Sequence, residues 1–551
     1  MDCIDYRQLP ASAGGFSQLF LDYVYNFDAV RQYFTHNFRG NAPYEAMIAT
    51  AAARPLDRGT LTRVLREQNT VFGGTQPTFD NIALLQKPTT LAVVTGQQVG
   101  LFGGPLYTIF KTVTTIKLAE RLKAKFPSYD VVPLFWLEGE DHDFLEMNNI
   151  ALLDHENKPV TIEYLHGETA PERNLGPIGE LTFNDALTKT FERLDAALPK
   201  TEFTPEIISA LKSCYTVGTT FNRAFARWMN FLFADHGLVF LSSNHPDLKR
   251  LLSPLFVKEI AEFPKTSQLV IAQSAELEER YHAQVKPKSL NLFMFHKGGR
   301  YLIQPREREE DFSLKGTRHF IQRDELLRIA HETPELLSPN VILRPIAQDM
   351  LLPTVAYVAG PSEIAYHAQL KPVFEFFGVP HPIIYPRASA SFLEERLLHA
   401  MEKYGLDILQ VMENPDTVAT RVSEHISSIK LDDLFANANG TMRTALNEMK
   451  YALKEIDPTL IGALENVLAK LDQNMNVLKE KSIAAQKRKN ETALRQIEKA
   501  ANGLLPNGNL QEREVNVLQY INKHSLGLMS RIIGELDVGA FKHQLLALST
   551  R

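Results

Sequence analysis

Cysteine is scarce in this chain: Cys3 and Cys214 are the only two in 551 residues. A disulfide framework or a cysteine-built zinc site is thereby excluded, and a reduced, cytoplasmic protein is expected. No run of about 18 apolar residues occurs, so no membrane-spanning helix is expected. The start, "MDCIDYRQLP", lacks a basic segment followed by an apolar one, so no secretory signal is expected either. Net charge is −6, which offers nucleic acid or an anionic membrane no general attraction. Neither is an expected partner. What is present, 44% hydrophobic and 23% charged residues, suits a globular protein, and the length implies two or three domains.

The first ninety residues read as mostly helical and rich in aromatics, closing at Pro88. A repeating grammar comes after them. "LAVVT" (91–95) has strand length and is apolar throughout. A glycine-rich turn comes next, then helical spacing from Pro105 to Lys125, then a second apolar run, "VVPLFWL" (131–137). This is a βαβ unit with parallel strands. "GLVFLSSNHPDLKRLL" (237–252) repeats strand, polar turn and helix. "TVAYVA" (354–359), Gly360-Pro361 and the helical "IAYHAQLKPVFEFF" repeat it again, with a break predicted at Pro372, a cap at Gly378 and a strand at "PIIYP" (382–386). Alternation of this kind predicts an α/β fold built on an open, doubly wound parallel sheet.

From about Glu394 the pattern turns helical only. Met442, Leu446, Met449, Leu453 and Ile456 recur at steps of four and three, and Leu460, Leu464, Val467, Leu471, Met475 and Leu478 continue beyond Asp457-Pro458. A helix from Pro458 to Asn502 would be about 68 Å long, so a helical hairpin or coiled coil projecting from the core is predicted. The polar stretch 479–499 reads as its distal or returning part. An exposed apolar seam favours a symmetric dimer. The expected organisation is a core over 1–393, an arm over 394–505 and a C-terminal segment, 506–551, packing back on the core.

Parallel strands end at one sheet edge, so the segments just past their C-terminal ends share a crevice. After the first strand, Gly96, Gln97, Gln98 and Gly100 lead to Gly104 and a helix start, where backbone N–H groups would suit an anion; Lys111 lies two turns on. The turn matches neither a Walker loop nor G-x-G-x-x-G. After the second strand, Glu138, Glu140, Asp141 and Asp143 surround His142, with Glu146 just beyond. Such acids would suit an ammonium group, and His142 acid–base work. A metal on Asp141, His142 and Asp143 is the weaker reading, since adjacent residues seldom converge on one ion, and no resident metal is expected. The late unit adds Arg344, Gln348 and Asp349, then Ser362, Glu363, Tyr366, His367 and Gln369, then Arg387 and Ser389; Arg344 or Arg387 would clamp a carboxylate. Asn244 and His245 hold the equivalent place in the third unit.

"TGQQVGLFGGPLYTIFK", "FWLEGEDHDF", "RPIAQDMLLPTVAYVAGPSEIAYHAQL", "PRAS" and "LPNGNLQERE", in this order around a long helical arm, resemble the BshC family, the cysteine ligases of bacillithiol biosynthesis. The resemblance implies a Rossmann-type core with inserted segments and a coiled-coil domain supporting a homodimer. It further implies amide formation between cysteine and the amino group of glucosaminyl-malate, with ATP as activating cosubstrate and magnesium only as an ion carried by the nucleotide. The glycine turn stands where nucleotidyl-transferring ligases carry a HIGH signature, without its histidines, and no KMSKS-like loop occurs. In the implied site, Gly96 to Gly104 with Arg344 or Arg387 hold carboxylate or phosphate, the acids at 138–143 hold an ammonium group, and His142 takes the proton of the attacking amine. Two other classes fit the residues alone: a metal-dependent hydrolase or transferase using Glu140 to Asp143, and a non-catalytic scaffold acting through the arm.

Overall fold

The computed structural model describes residues 2–10, 15–167, 174–306, 311–426, 430–489 and 491–548. Its central element is a five-stranded sheet of Thr90–Gln98 (β1), Asp130–Glu138 (β2), Val239–Ser242 (β3), Thr354–Ala359 (β4) and Ile383–Pro386 (β5). The order is β3-β2-β1-β4-β5 and every neighbouring pair is parallel. This is the doubly wound arrangement, whose switch point lies between β1 and β4. Both faces of the sheet are covered, which is why the strands read as unbroken apolar runs. Leu134 and Trp136 of β2 enter one core, while Phe135 and Leu137 enter the other.

Between the strands lie Leu106–Lys125 (α1), Pro246–Ala261 (α2) and Pro361–His367 (α3). The break predicted at Pro372 is found: α3 ends at His367 and a second helix, Lys371–Phe377, stops at Gly378 with φ of 68°. One boundary is corrected. β1 runs three residues past Thr95, pairing Gly96, Gln97 and Gln98 with Trp136, Leu137 and Glu138. The first glycine of the supposed turn is therefore strand.

Two insertions shape the sheet's C-terminal edge. A hairpin, Asn149–Leu153 with Pro159–Glu163, comes after β2. A second, five-stranded sheet, Leu292–Gln322 closed by Leu337–Pro339, precedes β4 and brings Phe293 and Arg300 to that edge. A third sheet joins the chain's ends: Asp2–Ile4 pairs with His543–Leu548, which pairs with Ser389–Glu394.

The arm is an antiparallel hairpin of Leu431–Ile456 (α4) and Leu460–Lys489 (α5), tied across by Arg443 with Asp472 and Lys479 with Asp432. Its tip is the Asp457–Thr459 turn, so the stretch 479–499 belongs to the return. The helix resumes over Glu491–Leu504, with Asn490 outside the described residues, and buries Ile497, Ala500 and Leu504. No helix of the described residues is long and apolar enough to cross a membrane.

Candidate active site

A cavity of about 640 Å³ opens at the switch point. Across its floor Lys111 of α1 meets Glu363 of α3, joining the two halves of the sheet. The Lys111 ammonium also donates to Gly96 O and Gln97 Oε1, both at 3.0 Å. Its three protons thus have three acceptors within the protein. Lys111 lines the cavity as a structural cation, and the sequence-based expectation of a free anion clamp there is corrected. Glu363 accepts further bonds from Tyr357 Oη and Gly360 N, both at 2.7 Å. Burial opposes its ionisation, but Lys111 and these donors hold the carboxyl below the usual range.

The second wall belongs to β2. Glu138 accepts from Trp136 Nε1 at 3.2 Å and from Arg344 at 3.1 Å, and Arg344 also donates to Tyr366 Oη at 2.9 Å. Burial pushes the Glu138 carboxyl up despite the guanidinium. Beyond it, Asp141 and His142 face Arg300, whose Nη1 stands 3.7 Å from the carboxylate and 3.3 Å from His142 Nδ1. Burial of Asp141 is outweighed by bonds from His142 and the charge of Arg300, so it stays ionised far below the usual range. Arginine has only donors. His142 Nδ1 also lies 3.5 Å from Asp141 Oδ1, so the imidazole is held between the carboxylate and the guanidinium at the cavity wall.

Several expected residues lie elsewhere. Glu140 turns under the loop to Lys249 at 2.7 Å and Ser243 at 2.6 Å and is buried with both. Asp143 is exposed and caps the Phe144–Met147 turn. The cluster Glu140 to Asp143 is thus not assembled on one face, and among the described residues no group of three or more His, Cys, Asp or Glu side chains is placed to hold a metal. Gln348 is buried against Asp349, His367 against His381, and Ser389 against His543. His245 caps α2.

The glycine turn is also corrected. The N–H groups of Gly100, Gly103 and Gly104 donate to Gln98, Gly100 and Leu101, and Leu106 N donates to Val515 O. They are spent on the turn. Gly103 has φ of 94°, and a side chain there would meet Trp228 at 3.2 Å. Gly100 and Gly104 border only a smaller adjoining chamber, whereas Gly96, Gln97, Gln98, Ser362, Tyr366 and Arg387 line the main one. Arg387 gives two bonds to Glu512, so of the two expected carboxylate clamps it is the committed one.

The structure also brings to the cavity Tyr107 and Arg513, from two of the quoted stretches, and Lys286, Lys288, Phe293 and Arg300, which lie in none of them. Among the described residues, Lys286, Lys288 and Arg513 have no ion-pair partner, so they are the cations free to meet a ligand. For Lys286 and Lys288 the only sequence signal was that they flank Pro287. Gln369 holds that loop by bonding both the N–H and the C=O of Val285, each at 2.9 Å. Glu146 stands at the rim and accepts from Gln98 at 2.6 Å; partial burial of its carboxyl and the nearby Asp141 and Asp143 push it up.

Residues 1–388 match the family described as bacillithiol biosynthesis BshC, N-terminal Rossmann-like domain, and residues 390–548 match its C-terminal coiled-coil domain. The chain belongs to the BshC family. A relative from Salinibacter ruber, named "Putative cysteine ligase BshC", is 39% identical over 541 residues, covering 98% of each chain. Relatives of the same name from Chloroherpeton thalassium and Geobacillus kaustophilus are 38% and 31% identical, covering 98% of this chain and 99% of theirs. The cavity at the switch point draws on all five quoted stretches, with Gln97, Asp141, Arg344, Arg387 and Arg513 one from each.

Proposed function

We propose that this BshC protein is a cysteine ligase that joins the carboxyl group of cysteine to the amino group of glucosaminyl-malate. The observation that carries this reading is a single cavity whose lining combines Lys286, Lys288 and Arg513, without ion-pair partners among the described residues, with the carboxyls of Glu138 and Glu146. Amide formation makes one C–N bond, expels one carboxyl oxygen and releases a proton from the attacking amine. Lys286 and Lys288, unpaired at the rim, fit the phosphates of ATP, which when bound would supply the leaving group for that oxygen. Arg344 retains donors beyond those given to Glu138 and Tyr366 and suits a malyl carboxylate. His142, held between Asp141 and Arg300, offers its imidazole to the substrate.

The base that takes the amine proton is Glu146. Its Oε2 is held by Gln98, and its raised carboxyl matches the requirement for a base poised closer to neutrality. Glu146→Gln keeps the shape and removes the base, so kcat should fall by about 10²–10⁴-fold. In the wild type the rate should rise with pH as Glu146 ionises, and that limb should vanish in the variant. Purified protein given cysteine, glucosaminyl-malate and ATP should yield bacillithiol by mass spectrometry. A deletion strain should accumulate glucosaminyl-malate; normal bacillithiol in that strain would sink the reading. The arm we infer to be the seam of a homodimer.

A further inference from the structure

Beside the main cavity lies a second chamber of about 210 Å³. Gln97, Gln98, Tyr107, Glu146 and Arg513 line both, so the two meet at a common wall. At about 30 Å³ per water, the side chamber has room for roughly seven waters. That suits a small amino acid and excludes a sugar conjugate or a nucleotide.

Four features of its walls point to a ligand. The first is Arg513, a half-buried guanidinium on the shared wall with no ion-pair partner among the described residues. The second is Glu514, which lines the side chamber only and whose carboxylate is fixed by Asn507 Nδ2 at 3.1 Å and Asn509 Nδ2 at 2.8 Å. The third is Thr108 in the first turn of α1, fully buried, with a hydroxyl that has no hydrogen-bond partner. An unsatisfied buried hydroxyl is costly unless something completes it. The fourth is a floor of Ala151 and Thr161, directly opposite each other across the hairpin, beside Pro105. A cation at the junction, an anion confined to the chamber and a small mixed floor match a zwitterion with a short side chain.

We propose that the side chamber is the amino-acid subsite. Arg513 takes the α-carboxylate at the junction, Glu514 takes the α-ammonium inside, and the short side chain rests on Ala151 and Thr161 within reach of the Thr108 hydroxyl. This rests on the ligase reading and adds to it an orientation: the carboxyl carbon faces the main cavity, where the amine and Glu146 stand. It also adds a selection rule, since a thiol or hydroxyl can complete the Thr108 hydroxyl and an apolar side chain leaves it unsatisfied.

Titration calorimetry on the full chain, with L-cysteine, L-serine, L-leucine and glucosaminyl-malate as separate probes, tests this. Cysteine and serine should bind and leucine should not. Losing a charge-assisted bond in Arg513→Gln should weaken cysteine by about tenfold or more. Ala151→Leu should fill the chamber and abolish cysteine binding while leaving glucosaminyl-malate unchanged. Thr108→Val, nearly isosteric, should weaken cysteine and provides a variant that keeps the fold should Ala151→Leu not. Unchanged cysteine affinity in Arg513→Gln and Thr108→Val overturns the subsite, as does leucine binding as well as cysteine. Variants that make bacillithiol with the wild-type cysteine KM overturn it too. If cysteine binds as described but no amide forms, the subsite stands and the ligase reading falls.

Discussion

Asp349, on the helix Arg344–Leu351, shows how far a single buried group can set the protein's response to pH. Its carboxyl is buried, accepts from Gln348 at 3.1 Å, and leaves Oδ2 without a partner. Burial pushes it from 3.8 up to about 7, with only Arg54 as a nearby opposing charge. In the unfolded chain the group ionises near 3.8, whereas the fold keeps the proton until about 7. The folded state therefore binds more protons between these values. The contribution is fully present below 3.8 and is lost as pH rises through about 7. A rise from 3.8 to about 7 corresponds to about 4 kcal/mol. Asp349→Asn retains the shape and removes the titration. Its melting temperature should stay nearly level from pH 5 to 8 while that of the wild type falls, leaving the variant the more stable at pH 8. Parallel profiles would show that Asp349 stays ionised in the fold. Gln348 was expected in the site, yet it belongs to this buried pair.

At the scale of elements, the C-terminal segment is bound to the Rossmann-like core through charge. Arg387, just past β5, gives two bonds to Glu512 at 2.9 and 2.7 Å, and Glu512 also accepts from Ala390 N at 3.2 Å. Both side chains are almost fully buried, so removing one leaves the other's charge in a medium that solvates it poorly. Glu512→Gln should cost about 3–5 kcal/mol in thermal or denaturant unfolding. The double variant Arg387→Gln/Glu512→Gln should lose less than the sum of the singles, and simple additivity would show that the pair is uncoupled. The same element shows where sequence reasoning stops. The strands at 91–95, 131–137 and 354–359 were legible because strands covered on both faces are apolar throughout, with glycine or proline at the ends. The fate of the glycine N–H groups was not, because Leu106 N finds its acceptor on Val515, more than four hundred residues on. Glu140 was misplaced for the same reason, since Lys249 claims it from another helix. Arg300 reaches the cavity from an inserted sheet and had no local pattern to reveal it.

For the whole molecule, the arm is the surface on which the inferred homodimer is tested. The 4-3 spacing made it legible, and its apolar residues divide between an inward and an exposed face. Leu446, Leu453 and Leu464 face inward on the hairpin, with Leu464 buried. Met442, Met449 and Ile456 recur every seven residues on α4 and are 38%, 50% and 74% exposed. A heptad-spaced apolar row facing solvent is the seam that a second copy would cover. Met449→Glu with Ile456→Glu places like charges opposite each other across a two-fold seam, so light scattering after size exclusion should read one chain's mass instead of two. Because the residues are exposed, the melting of each chain's core should be unaffected. Among the described residues, none that lines the main cavity or the side chamber lies on α4 or α5. The separated chains should therefore keep kcat, losing only what the partner adds to stability. A dimer that survives both substitutions would move the seam to another face of the arm, and a kcat that collapses with the dimer would mean that the partner completes the site.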